Sequence, residues 1–370
     1  MKAFGIGCLW FGSKCIENEG DVERFDPEEH LAAIQKSLEA IPNLSDLKID
    51  RPENLSIAVS FEAADDDDEI FPVIPNVQIK FKLYLPKRIQ DQIFKYRESL
   101  TDSEHFEVLI KYGYRAAVAF ISYSASVPPT SPADCVVVVR KYLEQQVNKN
   151  NKTVDFRTLG PSPFHVDFLF EAAHDGESID RFRFVDSSRP GTGYGDITVE
   201  YNRDRFSSID AAWVAFTNEM NEQIENYYVA VQCRNAVMSC TYEVEEHLNS
   251  LLKLQMDSGL VAFLSRFWKA PSKTRDLMIS LLEAERHKLT STRFLDECRR
   301  DGLIKEGSPF SAHTVRRIAE QNDRLPVGQI GEVVRLFEER HLKKLEGGVV
   351  LVAGVLGGAV GAIVTLFLGR

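Results

Sequence analysis

The chain has 370 residues, of which 44% are hydrophobic and 27% are charged, and its formal net charge at pH 7 is −11. This length allows two or three domains, each with its own hydrophobic core. The acidic balance argues against a protein that binds nucleic acid broadly through the phosphate backbone, so nucleic acid is not an expected partner.

Residues 1–206 predict a soluble α+β domain, with a mixed or mostly antiparallel sheet and flanking helices. Asp26 followed by Pro27 marks the start of a helix, and alternating apolar residues at 55–61 and 77–85 are typical of half-buried strands. The other predicted strands lie at 2–9, within 106–124, and near 154–158, 164–170, 178–185 and 197–201. Two more helices are predicted, at 86–100 and 132–147.

The six cysteines show no CxxC spacing, which favours reduced thiols in a cytosolic protein. The opening stretch, MKAFGIGCLWFG, is apolar but short and interrupted by glycine, with a single basic residue. We therefore interpret it as a buried strand rather than as a signal peptide.

The most glycine-rich loop of this domain runs from Arg189 to Asp196. It links two predicted strands, so a simple connection explains its glycines. The arginines around it keep open an alternative, a pocket for a nucleotide or another anionic small molecule. The candidate ligand-binding residues are Arg181, Arg183, Arg189, Gly191, Gly193 and Gly195.

Two other groups of residues contain side chains of the types found in catalytic or metal sites. Ser162, His165 and Asp167 resemble an acyl-transfer set by type, but His165 and Asp167 share one strand face, and this spacing predicts exposed polar residues. Cys233, Cys240 and His247 recur every seven residues, about 10.5 Å apart on a helix, which is too far for one metal ion. The sequence therefore predicts no catalytic residue, no metal site and no cofactor.

Residues 207–346 predict an all-α stalk or bundle that becomes basic towards its end. Ser207 and Asp210 have the spacing of a capping box, and an apolar stripe continues to about Gly259, as one long helix or as two helices packed as a hairpin. Shorter helices are predicted at 260–269, 272–288, 292–300, 311–321 and 327–345.

Residues 347–369 predict a transmembrane anchor, because this stretch contains no charged residue. Its 23 residues would form a helix of roughly 34 Å, enough to cross a hydrocarbon core of about 30 Å. Small residues recur every four positions and form one continuous face, which favours close packing of two such helices. The residues of this predicted association face are Ala353, Gly354, Gly357, Gly358, Gly361 and Ala362.

Basic residues just before the anchor predict a single-pass, tail-anchored protein whose body is cytoplasmic and faces an anionic leaflet. Two classes of function follow. The first is a sensor, effector or interaction protein that forms homo-oligomers and binds an unidentified protein or anionic ligand. This architecture resembles that of membrane-acting effectors in bacterial defence and cell-death systems. The second is a membrane-localised enzyme or nucleotide-binding protein with a site in residues 1–206.

Overall fold

The first strand, β1 (Lys2–Ser13), lies in the middle of a mixed sheet. The structure is a computed structural model, and it describes residues 1–13, 26–56, 58–60, 71–93, 101, 103–126, 131–150, 154–159, 166–174, 179–188, 195–256, 260–300, 331–332 and 335. Within these residues the strands after β1 are β2 (Leu44–Asp50), β3 (Ala58–Ser60), β4 (Phe71–Val73), β5 (Gln78–Tyr84), β6 (His105–Tyr112), β7 (Ala117–Ser124), β8 (Val154–Leu159), β9 (Val166–Ala172), β10 (Phe182–Ser188) and β11 (Gly195–Tyr201). The helices are α1 (Pro27–Glu39), α2 (Lys87–Ile93), α3 (Asp134–Asn150), α4 (Ile209–Met256) and α5 (Leu260–Arg300).

Nine of the described strands form one sheet, in the order β10-β11-β9-β1-β7-β6-β5-β2, with β8 also paired to β1. Along one edge β1 pairs with β7, and along the other it pairs first with β9 and then with β8. The pair of β9 and β11 is parallel, whereas the other described pairs of this sheet are antiparallel. The predicted α+β domain with a mixed sheet is confirmed, as is a helical part after it.

Helices cover both faces of this sheet, which explains why β1 is apolar on both sides. On one face, the Phe4 ring lies 4.9 Å from the Trp213 ring of α4. On the other face, a Cβ added to Gly5 would lie 2.5 Å from Val136 Cγ2 and 3.1 Å from Ala133 Cα. The glycine in β1 therefore lets α3 approach the sheet closely.

The coverage of both faces corrects one expectation from the sequence. Asp167 was predicted to be exposed on the sheet, but it is buried and accepts a hydrogen bond from the Ala133 backbone N–H at 2.9 Å. The carboxylate thereby contacts the chain just before α3, where a helix leaves its first N–H groups without partners. Alternation along one strand could not reveal a helix packed on its second face.

Two helix boundaries bear directly on the sequence predictions. Helix α1 begins as expected, with Asp26 accepting a hydrogen bond from the Glu28 N–H at 2.9 Å. Helix α4 is one continuous helix of 48 residues, so the alternative of a hairpin is wrong. Its cap is Ser208 rather than Ser207, since the Ser208 hydroxyl accepts from the Ala211 N–H at 3.1 Å.

Helix α5 is also continuous, although three separate helices were predicted over the same residues. Pro271 lies inside this helix. Because proline has no backbone N–H, one hydrogen bond of the helix is lost there, which destabilises the helix without ending it. Burial of the flanking Ala270 and Leu277 holds this part of the chain helical.

The chain divides into two compact units. The described residues within 1–235 and 291–300 belong to the first unit, and those within 236–290, with residues 331, 332 and 335, belong to the second. The first unit contains the sheet and the larger core. The second unit has its own core, in which one face of α4 packs against one face of α5. The buried apolar residues of this second core are Val244, Leu251, Leu254, Ala270, Leu277, Leu281 and Ala284.

No helix among the described residues is both long and apolar enough to cross a membrane. The predicted span, Gly347–Gly369, lies outside the described residues, as does the predicted helix at 311–321. Of the predicted helix at 327–345, only residues 331, 332 and 335 are described, and they are helical. Cys8, Cys135, Cys233 and Cys240 form no disulfide.

The burial of His30 generates a prediction about pH. Its Nε2 atom lies 3.3 Å from the Phe11 carbonyl oxygen, and desolvation lowers the pKa of His30 from 6.5 to about 4. Below pH 6.5 the unfolded chain therefore binds a proton that the folded chain does not, so the free energy of unfolding falls between pH 6.5 and 4. The loss is at most about 3 kcal/mol.

We expect His30→Gln, which keeps a donor for the Phe11 carbonyl, to remove most of this loss. The measurement is urea unfolding at pH 7 and pH 4.5, followed by the fluorescence of the buried Trp10 and Trp213. The exposed His105, changed to Gln, is the control. An equal loss in the wild type and in His30→Gln would contradict this account of His30.

Candidate functional site

The residues predicted to bind an anion are only partly within the described chain. Arg181 and Arg183 are described, and Gly195 is the first residue of β11, whereas Arg189, Gly191 and Gly193 lie outside the described residues. The strands on either side of the glycine-rich loop, β10 and β11, pair antiparallel, as a simple connection between them requires.

Each of the two described arginines contacts a glutamate. The Arg181 guanidinium lies 3.0 Å from the Glu219 carboxylate of α4, and Arg183 Nε donates to Glu200 Oε2 at 2.7 Å. Glu200 is the register partner of Arg183 on the neighbouring strand. An anionic ligand at these arginines would have to compete with both carboxylates, so the prediction of an anion pocket gains no support from these contacts.

The other two candidate groups are also only partly within the described residues, or are held by burial. Ser162 and His165 lie outside the described residues, and Asp167 is buried against the chain before α3. Within the described ranges, no three His, Cys, Asp or Glu side chains come together so as to hold a metal ion. Burial raises the pKa of the Cys233 thiol to about 11, which disfavours the reactive thiolate.

The sheet brings together a different set of residues, along the first part of α4. We define the α4 seat as the residues of α4 from Trp213 to Gln232 together with the sheet residues that they contact. Its first part is aromatic: the Phe170 ring lies 5.3 Å from the Trp213 ring and 5.4 Å from the Phe216 ring. Such aromatic pairs contribute about 0.5–1.5 kcal/mol each beyond the area that they bury.

Two lysines of the sheet lie at this seat. Lys2 Nζ is 2.6 Å from Glu107 Oε2 and 3.2 Å from Asp210 Oδ1, in the first turn of α4. Lys111 Nζ donates to the Asn218 side-chain oxygen, and burial lowers the pKa of Lys111 to about 8. Both lysine side chains are largely buried, and they link the sheet to exposed polar residues of α4.

Glu225 of α4 holds the turn between β6 and β7. One of its carboxylate oxygens accepts from the Arg115 N–H at 2.5 Å and from the Ala116 N–H at 3.3 Å. Burial raises the pKa of Glu225, although these two N–H groups oppose the shift. A Cβ on Gly113 would overlap the Glu225 carboxylate, so a larger residue there would displace this carboxylate from the two N–H groups.

The same turn also contacts the end of α5. The Arg115 guanidinium lies 4.9 Å from the centre of the Phe294 ring, the distance of a cation–π interaction. Phe294 is buried, whereas Arg115 is exposed. The turn of residues 113–116 therefore contacts both α4, through Glu225, and α5, through Phe294.

A row of polar side chains lies along the seat, and some of their buried atoms have no hydrogen-bond partner among the described residues. Glu225, Tyr228 and Gln232 recur at helical spacing, with Asn221 one turn earlier and Asn226 beside them. Four of their atoms have no hydrogen-bond partner within the described part of the chain: Asn221 Oδ1, Asn226 Nδ2, Tyr228 OH and Gln232 Nε2. Each such atom costs about 1–3 kcal/mol, and native proteins bury few of them.

The apolar stripe of α4 was predictable from the sequence. The burial of polar residues on the same helix was not, because it depends on what packs against them. The groups of this polar row are hydrogen-bond donors and acceptors: a carboxylate, a phenol and three amides. Comparisons of this chain with protein-family models, with curated proteins and with solved structures find no match.

The contact between Gly113 and Glu225 gives a prediction about the seat. Gly113→Ala should lower the free energy of unfolding of the sheet unit by about 2 kcal/mol, because the Glu225 carboxylate must leave the two N–H groups that it accepts from. Glu225→Ala should have a similar effect. The double variant should lose much less than the sum, since the added methyl group then enters vacated space.

The measurement is a double-mutant cycle by urea unfolding. Gly195→Ala is the matched control, because the nearest atoms to its added Cβ are 3.8 and 4.0 Å away. Additive losses in the double variant would show that the two positions do not interact.

Proposed function

We propose that this protein is a membrane-tethered sensor or effector, whose α+β domain faces the cytoplasm and whose residues 347–369 anchor it and bring copies together. One observation carries the proposal: the stretch Gly347–Gly369 contains no charged residue and is long enough to cross a bilayer as a helix.

The composition of the anchor supports self-association. Ala353, Gly357 and Gly361 form one row of small residues on a helix, and Gly354, Gly358 and Ala362 form the adjacent row. Such a face permits close packing of two helices in lipid, where hydrophobicity alone gives no preference for protein contacts. The proposed assembly is therefore a homo-oligomer within the membrane.

The charge distribution supports the orientation. Residues 259–346 contain 17 basic and 13 acidic residues, a net charge of +4, although the whole chain carries −11. Arg335, Arg340, Lys343 and Lys344 stand just before the anchor. Basic residues at this place favour the cytoplasmic side and an anionic leaflet.

The α4 seat supports a coupling role for the sheet domain. The buried atoms without partners destabilise the arrangement in which α4 is seated on the sheet. This lowers the free-energy difference between the seated arrangement and a second one, in which the same atoms are hydrated or hydrogen-bonded. We propose that the seated state is the resting state, with the anchors apart. A ligand or protein that binds the other state more tightly would then shift the population towards clustered anchors.

The activity that follows from this arrangement is membrane perturbation, in the manner of a defence or cell-death effector. The stimulus we propose is an anionic small molecule or a protein bound by the α+β domain. An anionic ligand at Arg181 and Arg183 would have to displace Glu219 and Glu200, and Glu219 lies on α4 itself. Binding at Arg181 would therefore act on the seat directly.

The test compares the full chain with a chain that ends at Glu346. Alkaline carbonate should leave the full chain in the membrane pellet and release the shortened chain. On expression in a bacterial host that is exposed to candidate stimuli, the full chain should lower membrane potential and growth, and the shortened chain should not. Release of the full chain by carbonate would contradict the anchor. An unchanged membrane potential, together with turnover of a substrate by the shortened chain, would instead favour the membrane-localised enzyme.

A further inference from the structure

The outer face of α5 carries exposed apolar residues in the second unit. Leu282 and Leu289 follow one another at seven-residue spacing, and their side chains are 65% and 71% exposed. Met278 and Ile279 lie one turn before Leu282 and are 40% and 48% exposed. Trp268, two heptads before Leu282, is 77% exposed. We call these five residues the outer row of α5.

The outer row does not belong to the core of the second unit. The residues that α5 buries there are Ala270, Leu277, Leu281 and Ala284, which pack with α4. On a helix Leu282 is turned away from both Leu277 and Ala284. The Lys273 ammonium donates to the Ser250 hydroxyl of α4, which further fixes which face of α5 is turned inward. The outer row is therefore held outward by the packing of the opposite face.

Basic residues accompany this row. Residues 260–290 contain six basic and three acidic residues, a net charge of +3. Arg275 and Arg286 are exposed and fall between the outer-row residues along the helix, together with the exposed Glu285, and the Arg275 guanidinium lies 3.7 Å from the Asp276 carboxylate. An exposed face with Trp and Leu among arginines is typical of helices that lie in the interface of an anionic membrane.

The exposed face of α4 in the same unit has the opposite charge. Tyr242, Glu245, Glu246, Asn249, Ser250 and Lys253 line a shallow surface depression there. Residues 236–256 contain three acidic residues and one basic residue, a net charge of −2. An anionic surface would attract the α5 face of this unit and repel its α4 face.

We propose that the outer row of α5 lies on the surface of an anionic lipid bilayer, with Trp268, Leu282 and Leu289 in the headgroup region and Arg275 and Arg286 at the phosphates. The inference rests on the membrane attachment proposed above. The 46 residues from 301 to 346 separate α5 from the anchor, and even as a continuous helix they would reach about 69 Å. That reach leaves the second unit free to rest on the same membrane.

Tryptophan fluorescence gives a direct test, because Trp10 and Trp213 are 3% and 7% exposed and Trp268 stands apart at 77%. The full chain is reconstituted into vesicles of phosphatidylcholine and phosphatidylserine, in which the phosphatidylcholine carries bromine near its headgroup end. We expect bromination to reduce the emission of the wild type and to leave Trp268→Phe unaffected. Leu282→Glu, or salt near 1 M, which shortens the screening length to about 3 Å, should diminish the loss.

The matched control introduces a tryptophan on the exposed face of α4, by Tyr242→Trp combined with Trp268→Phe. Its emission should lose less to bromination than that of Trp268. Equal loss at both positions, or no loss that depends on Trp268, would overturn the proposal. In the second case the outer row contacts a second copy or another part of the chain. Carbonate resistance reports on residues 347–369 alone, so failure of the anchor and failure of this surface are distinguishable.

Discussion

The burial of polar groups under α4 is the constraint on which the rest of this structure depends. A helix that seats on a sheet is most stable when its inner face is apolar, and α4 begins in that way with Trp213 and Phe216. Beyond Met220 the buried residues include Glu225, Asn226 and Gln232. Glu225 has backbone partners in the turn of residues 113–116, whereas Asn226 Nδ2 and Gln232 Nε2 have none among the described residues. The aromatic part therefore fixes the helix, and the polar part limits how strongly it is held.

This combination suits a helix that continues beyond its domain. Helix α4 contributes residues to both compact units, and its residues 244–254 form a separate core with α5. Each unit thus has an apolar cluster of its own, and of the polar row only Tyr228 belongs to one of them, the core of the first unit. Opening the polar part of the seat would leave the second core intact, because the two cores share no residue. The proposed coupling between the sheet domain and the anchor needs this independence.

Most of the secondary structure was predictable from local patterns, and the failures have physical causes. Asp26 with Pro27 and the alternation at 77–85 act within a few residues, so α1 and β5 were found. Strand β2 was missed because Asp46 has a positive φ of 53° and the pairing with β5 shifts register between Ser45 and Lys48, which interrupts alternation. Arg181 and Arg183 were predicted to lie beside the connection between two strands, and β10 and β11 do pair there. Their partners, Glu219 and Glu200, could not be predicted from the sequence. Glu225 was missed for the same reason, since its partner Arg115 lies 110 residues away.

The central claim is that the α4 seat controls how the anchors associate. The most direct test introduces Asn226→Leu and Gln232→Leu in the full chain, which removes two buried side-chain nitrogens that have no partner among the described residues. It measures cross-linking between copies in membranes, with Gly358→Ile as the variant that separates the anchors. We expect the double leucine variant to unfold less readily than the wild type, because α4 stays seated. For the same reason it should cross-link several-fold less. Gly358→Ile should reduce cross-linking both in the wild type and in the double leucine variant. Unchanged cross-linking in a double leucine variant of raised stability would contradict the claim.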